Sequence, residues 1–380
     1  MTLQPGGENN NSLRILQMGS TAYRGGVTTA IMTLCRALRH KGHEIMLVSD
    51  GGDLDPLREQ GIPCVVTDFA PKFLSVLRGM LAVHKAISQF HPDIIHVHGR
   101  APALLCYLSG RIPDWFTLHN THFTERVGAM DIGILRRLLS PMGRRFFVLD
   151  EKARTYLCKS MGVNPSKIEV IINGVDCDRY REPTPKERQQ ARARFEIEQG
   201  QTLVLFVGRL HPSKQPGAVI AAAKAALDVG RKDLRFAIVG EGELEEQVRH
   251  DIDVAGINDI CKLYGWMDPL EAYFAADLLV MPSLYEGFGL VAVEAMATGL
   301  PVLRSRTGGV DKMIIEGKTG FCCGTDIPGF INVLMRVLSH PEQLSTMRVY
   351  ARELVQKQLS SQAQARMLIQ HYRAHLSVGK

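Results

Sequence analysis

Short, strongly apolar runs alternate along the chain with longer stretches in which apolar positions recur every three or four residues. Residues 13–18, 45–49, 92–99, 116–118, 146–149, 203–207, 234–239 and 278–281 are runs of the first kind, and a further one starts at Val302. Runs this apolar predict strands buried on both faces, and the amphipathic stretches between them predict covering helices. The opening unit shows the scheme: a strand at 13–18, a turn containing Gly25 and Gly26, a helix over 28–41 and a strand at 45–49. Repetition of that unit predicts an α/β chain of doubly wound parallel sheets.

At 380 residues the chain is long enough for two such domains, and 45% hydrophobic composition supplies their cores. The boundaries expected are 1–180 and 181–360, with 361–380 a terminal helix packing back on the first domain, and the charged stretch 178–201 a linker. No apolar run reaches membrane-spanning length, and the start, MTLQPGGENNN, has no signal-peptide pattern. Eight scattered cysteines without C-x-x-C pairing fit reduced thiols, so a cytoplasmic location is expected. The formal charge of +6 is uneven, with +5 on residues 1–185 and +1 on 186–380. A basic first half suits a phosphate-bearing partner or an anionic membrane. With no RNA-recognition motif and no long basic run, nucleic acid is not an expected partner.

The densest chemistry lies at 283–302. An apolar strand ends at Pro282 and Ser283, Gly287 and Gly289 allow a tight turn, and a helix runs from Leu290 to a stop at Gly299 and Pro301. Free N–H groups at such a helix start suit an anion. Glu286 and Glu294 bracket the turn, and carboxylates accept hydrogen bonds from paired hydroxyls. An ordinary crossover with two solvated glutamates is the competing account.

This stretch, with Glu286 and Glu294 as its two acids, resembles the E-x7-E signature of retaining GT-B glycosyltransferases of family 4. The resemblance extends over nearly the whole chain. It implies two Rossmann-like domains facing a cleft and transfer of a hexosyl unit from a nucleotide-diphosphate sugar, most simply a UDP-sugar. The acceptor implied is a hydroxyl of a glycan or lipid-linked molecule, as in cell-surface polysaccharide or lipopolysaccharide synthesis at the inner face of the plasma membrane. Gly208-Arg209-Leu210-His211-Pro212-Ser213-Lys214-Gln215 is similar to the family's G-R-L-x-x-x-K-G, with Gln215 in place of the last glycine. Arg209 and Lys214 would clamp the diphosphate. Glu294 would hold the ribose, and Glu286 with the backbone of Phe288, Gly289 and Leu290 the sugar. Gly25 and Gly26 match a glycine pair that faces the donor, although no G-x-G-x-x-G is present. Gly240 matches the element that shapes the nucleotide cleft, and Trp266 the stretch that meets the base, with plain core an equal alternative for Trp266. His119, with His122 as fallback, matches the histidine that bonds a donor-sugar hydroxyl.

Other features carry less. Asp311 and Lys312 depart from the family's G-G-x-P-E. His96 and His98 form an H-x-H without further metal ligands, so packing or site lining is expected. The pairs Asp53/Asp55, Asp176/Asp178 and Asp251/Asp253 flank no glycine-rich donor loop, so no cofactor is expected and activity should be metal-independent. Residues 73–91 form an amphipathic helix with Leu74, Leu77, Leu81 and Ile87 on one side and Lys72, Arg78 and Lys85 elsewhere. Covering a sheet is its first expected role and lying on anionic lipid its second. Arg136, Arg137, Arg144 and Arg145 are either a solvated face or a contact for an anionic acceptor. A nucleotide-sugar epimerase and a non-catalytic nucleotide-sugar-binding scaffold are the rival functions; a phosphorylase would need a pyridoxal-phosphate lysine, for which no motif is seen.

Overall fold

The computed structural model describes residues 12–22, 25–70, 72–119 and 143–378. The chain divides into two compact units, Met1–Ile172 with Gln364–Lys380, and Asn173–Ala363. The first contains seven strands: β1 (Arg14–Gly19), β2 (Glu44–Ser49), β3 (Cys64–Val66), β4 (Ile94–His98), β5 (Trp115–Leu118), β6 (Arg145–Val148) and β7 (Ile168–Val170). The second contains six: β8 (Thr202–Val207), β9 (Leu234–Val239), β10 (Cys261–Leu263), β11 (Leu278–Met281), β12 (Val302–Ser305) and β13 (Gly320–Cys323). Neighbours run parallel in the orders β3-β2-β1-β4-β5-β6-β7 and β10-β9-β8-β11-β12-β13. Both orders reverse direction once, between β1 and β4 and between β8 and β11. In open parallel sheets that reversal leaves a crevice at the carboxyl ends of the two strands, where ligands bind.

Each sheet is covered because its strands are apolar on both faces. In the first unit Ile15, Ile31, Leu34, Trp115 and Phe147 pack with Leu368, Ile369 and Tyr372 of the last helix, Ser361–Val378. The Trp115 and Phe147 rings stack at 3.9 Å. In the second unit Val204, Phe206, Phe236, Val280 and Leu303 meet the helices Pro216–Asp228 and Ile327–Leu338.

Two sequence expectations need correction. Residues 178–201 do not link the units; they belong to the second. A capping box between Thr184 and Glu187 starts the helix Pro185–Arg194, and its Arg188 and Arg192 bind Asp277 at 2.6 and 3.0 Å. The charges that suggested a solvated tether are its anchor. The helix Phe73–Phe90 does not place Leu74, Leu77, Leu81 and Ile87 together. Ile87 is buried with Val83 and Ala86, whereas Leu74, Leu77 and Leu81 are exposed. At 100° per residue Ile87 falls off the stripe of the other three.

Candidate functional site

In the second unit, the carboxyl ends of β8 and β11 are tied together by backbone. Leu284 N–H donates to Ser213 C=O at 2.8 Å, which brings the turn after β11 against the loop after β8. Lys214 Nζ then reaches Glu286 Oε1 at 2.6 Å, and Ser283 Oγ donates to the same oxygen at 2.9 Å. The Glu286 side chain is 8% exposed and that of Lys214 26%, so the pair sits in a shielded position with one open side. Arg209 lies on the same loop; it is exposed, and among the described residues its guanidinium has no hydrogen bond or ion pair.

The loops after β8 and β9 touch backbone to backbone. Gly240 adopts φ 146, where a Cβ would come within 1.9 Å of the Gly208 carbonyl oxygen, so this position admits only glycine. Gly208 N–H donates to Val239 C=O at 3.0 Å, and Gly240 N–H to Gly265 C=O at 2.8 Å. Trp266 follows that glycine and is 52% exposed. Gln215 has φ 51, in the left-handed region that favours glycine, which accounts for the glycine it replaces in the motif. With its amide nitrogen turned towards them, the side chain donates to the carbonyls of Pro282 and Thr325 at 2.6 and 3.2 Å.

After Gly289, with φ 87, the helix Leu290–Ala297 begins, leaving N–H groups of its first turn without helical partners. This helix is buried almost all round, so Glu294 is no solvated glutamate: it is 6% exposed and accepts from Tyr273 Oη at 2.9 Å. Burial pushes its carboxyl above the usual range, while the Tyr273 hydroxyl, the Arg179 charge and the Tyr180 hydroxyl pull it back.

Arg304, in the middle of the apolar strand β12, was not singled out from the sequence. Fully buried, it donates through Nη1 to Phe288 C=O at 3.0 Å and through Nη2 to Gly308 C=O at 2.8 Å and Thr307 Oγ1 at 3.1 Å. It fastens the Glu286–Gly289 turn to the loop that packs over Phe288. Burial lowers its pKa and the charge of Glu286 opposes that. An arginine inside a run such as V-L-R-S was the available signal.

The first unit has its own cluster where β1, β4 and β5 end. His98 Nε2 faces Gln17 Oε1 at 2.7 Å, and His98 Nδ1 faces His119 Nε2 at 2.9 Å. His96 is held between Tyr372 Oη and Thr117 Oγ1, at 2.6 Å each. Burial drives the pKa of His96 down to about 3 and of His119 to about 4, and that of His98 well below its ordinary value. All three rings are neutral near pH 7. Gly19 has no room for a side chain beside Ile31 and His98. Gly25 and Gly26 open the helix Gly26–His40 after a loop shaped by Asp50, which accepts from Ser20 Oγ at 2.6 Å and Thr21 N–H at 2.9 Å.

The structure therefore brings together Lys214 and Glu286, with Arg209 on the same loop, and places Gly208, Gly240, Phe288, Gly289 and Leu290 around their strand ends. Glu294 is held separately by tyrosines, and Gly25, Gly26 and His119 belong to the other unit. His122, Arg136 and Arg137 lie outside the described residues. Arg145 lies over Trp115, 5.7 Å from its ring centre, a packing role. Among the described residues no group of three or more His, Cys, Asp or Glu side chains is arranged to hold a metal ion. Asp55 instead pairs with Arg58, and Asp176 caps the N–H of Asp178.

Paired doubly wound units, each with polar side chains at its strand reversal, define the class, and comparison with known proteins gives the family. Residues 24–179 match the family model described as Glycosyltransferase Family 4, and residues 187–354 that of Glycosyl transferases group 1. D-inositol 3-phosphate glycosyltransferase 2 of Catenulispora acidiphila is 30% identical over 376 residues, covering 87% of this chain and 86% of that protein. The chain belongs to the group 1 glycosyl transferases and has their GT-B fold. The D-inositol 3-phosphate glycosyltransferase of Gordonia bronchialis is 33% identical over 220 residues, 55% of this chain. That match spans about half of the relative's length (47%). A UDP-Gal:alpha-D-GlcNAc-diphosphoundecaprenol alpha-1,3-galactosyltransferase of Escherichia coli is 27% identical over 273 residues, 69% of this chain and 70% of that protein. Among solved structures, a glycosyltransferase of Rickettsia africae superposes with TM-score 0.82 at 19% identity, covering 96% of this chain and 99% of its own. Anabaena HepE in complex with UDP and glucose has TM-score 0.79 at 20% identity, covering 95% and 100%.

Proposed function

We propose that this protein moves a hexosyl unit from a UDP-sugar to a hydroxyl of a glycan or lipid-linked acceptor, with retention of the anomeric configuration. The observation that carries the reading is the Lys214–Glu286 pair at the strand reversal of the second unit, with the exposed Arg209 on the same loop. Cations on one loop and a hydroxyl-binding carboxylate on the turn packed against it suit a ligand with phosphate and polyol adjacent.

Arg209 and Lys214 stabilise the charge that develops on the departing diphosphate, the kind of interaction that contributes most to such transfers. Glu286 and the backbone from Phe288 to Leu290 hold the sugar, Glu294 the ribose, and His119 a sugar hydroxyl. Gly208, Gly240 and Trp266 shape the nucleotide site, and Gly25 and Gly26 approach the donor through backbone. The departing phosphate takes the acceptor proton, and no metal takes part. The UDP bound by HepE and the UDP-Gal and diphosphoundecaprenol in the name of the Escherichia coli relative support this choice of donor and acceptor class. A place in cell-surface polysaccharide or lipopolysaccharide synthesis is part of the proposal, in keeping with the structural likeness to WaaG, a glycosyltransferase involved in lipopolysaccharide biosynthesis. An epimerase or a non-catalytic scaffold would need no acceptor.

The test is a melting series with UDP, GDP, ADP and NAD, then the matching nucleotide sugars, each with and without EDTA. A ligand at about 100 times its dissociation constant stabilises by roughly 2.7 kcal/mol. UDP should raise the melting temperature, and Arg209→Ala should abolish the rise while leaving the unliganded protein as stable as before. A rise with NAD alone would overturn the donor class, and a rise that disappears in EDTA would overturn metal independence.

A second reading concerns location. No helix among the described residues is long and apolar enough to cross a membrane. The helix Phe73–Phe90, however, exposes Phe73 (82%), Leu74, Leu77 and Leu81, contains no acidic residue, and carries Arg78 and Lys85 with Lys72 just before it. An exposed apolar stripe on a helix that carries cations and no acid suits an anionic bilayer, as peripheral association at the inner face of the plasma membrane would require. Leu77→Glu together with Leu81→Glu should abolish co-sedimentation with phosphatidylglycerol-containing vesicles and leave UDP binding intact. Undiminished sedimentation would remove this helix from the membrane contact.

A further inference from the structure

The hydrogen bonds joining β1, β4 and β5 have a direction. Gln17 Oε1 only accepts, so His98 Nε2, 2.7 Å away, carries a proton. A neutral imidazole has one N–H, so His98 Nδ1 is bare and accepts. The His119 Nε2 that faces it at 2.9 Å therefore carries the proton, and His119 Nδ1 is bare. That last atom is shielded and, among the described residues, has no hydrogen-bond partner. His119 itself is 9% exposed and stands just beyond β5. The His98 and His119 rings stack at 5.1 Å and 25°, which fixes the orientation of both.

We infer that Gln17, acting through His98, sets the tautomer of His119 so that its Nδ1 is an acceptor kept for a hydroxyl of the donor sugar. This rests on the proposed contact between His119 and that sugar, and adds its polarity. A bare nitrogen takes an O–H and repels a carboxylate or phosphate oxygen. The point of contact therefore admits a neutral hydroxyl and discriminates against a uronate carboxylate. Gln17 and His98 are positioning residues, since neither is assigned a ligand contact. Every proton in the row depends on which end of the Gln17 amide faces His98. With the nitrogen there instead, each would move to the other ring atom and His119 would become a donor.

The experiment is imidazole 15N spectroscopy of the full, 15N-labelled chain at pH 7, with the His119 signals identified by their loss in His119→Gln. The expected result is a protonated Nε2 and an unprotonated Nδ1 at His119. Gln17→Leu should give a mixture of tautomers, and Gln17→Glu, which keeps an oxygen acceptor, should restore the single one. Protonation at Nδ1 in the wild type overturns the inference, as does a spectrum unchanged by Gln17→Leu. If Gln17→Leu does not fold, the wild-type spectrum decides. UDP-glucose, used as probe, should then move the Nδ1 resonance as it accepts a hydrogen bond. The expected tautomer without that movement would discard the sugar contact and keep the relay.

Discussion

Glu294 shows how much a single side chain is asked to bear before any ligand arrives. Its helix is buried almost all round, so the carboxyl has no water to ionise into, and two tyrosines and a more distant arginine compensate only in part. Its folded pKa lies above the ordinary 4.5. Below 4.5 the carboxyl is protonated in both states and costs nothing; as pH rises from 4.5 towards the folded pKa only the unfolded chain ionises, so the cost grows across that window and is complete above the folded pKa. Glu294→Gln should therefore melt higher than wild type at pH 8, by roughly 1 kcal/mol of added stability, with the gain vanishing below pH 4.5. The same variant should lose most of the stabilisation by UDP, because an amide is a weaker acceptor for ribose hydroxyls. A wild-type response to UDP would remove Glu294 from the donor site. Its place on the helix after the glycine turn was legible, because Gly287, Gly289 and the stop at Gly299 and Pro301 bound that helix in the sequence. Its partners were not, since Tyr180 and Tyr273 come from separate parts of the chain.

Among elements, the strands were the easiest to locate, because burial on both faces leaves continuous apolar runs such as L-L-V-M in β11. Segments whose charges have tertiary partners were misjudged, as the helix Pro185–Arg194 shows: arginine looks the same in sequence whether it meets solvent or Asp277. The bracing of the turn after β11 by Arg304 was hidden for a related reason. One guanidinium holds the Phe288 carbonyl from the turn after β11 together with Thr307 and Gly308 from the loop after β12, and the remote partner could not be named from β12 itself. Arg304→Leu removes the donors from the carbonyls of Phe288 and Gly308. The expected loss is about 2–4 kcal/mol, the scale of orphaning buried acceptors, read as a lower melting temperature. Arg304→Lys should recover part of it, since an ammonium reaches fewer acceptors than the planar fork. An Arg304→Leu protein as stable as wild type, with an unchanged response to UDP, would make the contacts incidental.

For the whole molecule, two repeats of one folding scheme were readable from periodicity, and the contents of the second unit's site from close-range motifs. The cluster of Gln17, His96, His98 and Tyr372 was not, because its members are brought side by side only by strand register and by the last helix.

The ion pair between Lys214 and Glu286 has a further meaning for selectivity. The resting protein carries its own counter-ion: a stray phosphate must separate that pair and leave Glu286 with the Ser283 hydroxyl but no counter-charge, a poor exchange in a shielded position. A molecule bearing both phosphate and hydroxyls can replace each half of the pair at once. On the proposed reading the turn rewards phosphate and sugar hydroxyls presented together, so a UDP-sugar should raise the melting temperature further than UDP does. Inorganic phosphate added to the melting series as one more ligand should then leave the curve where it was.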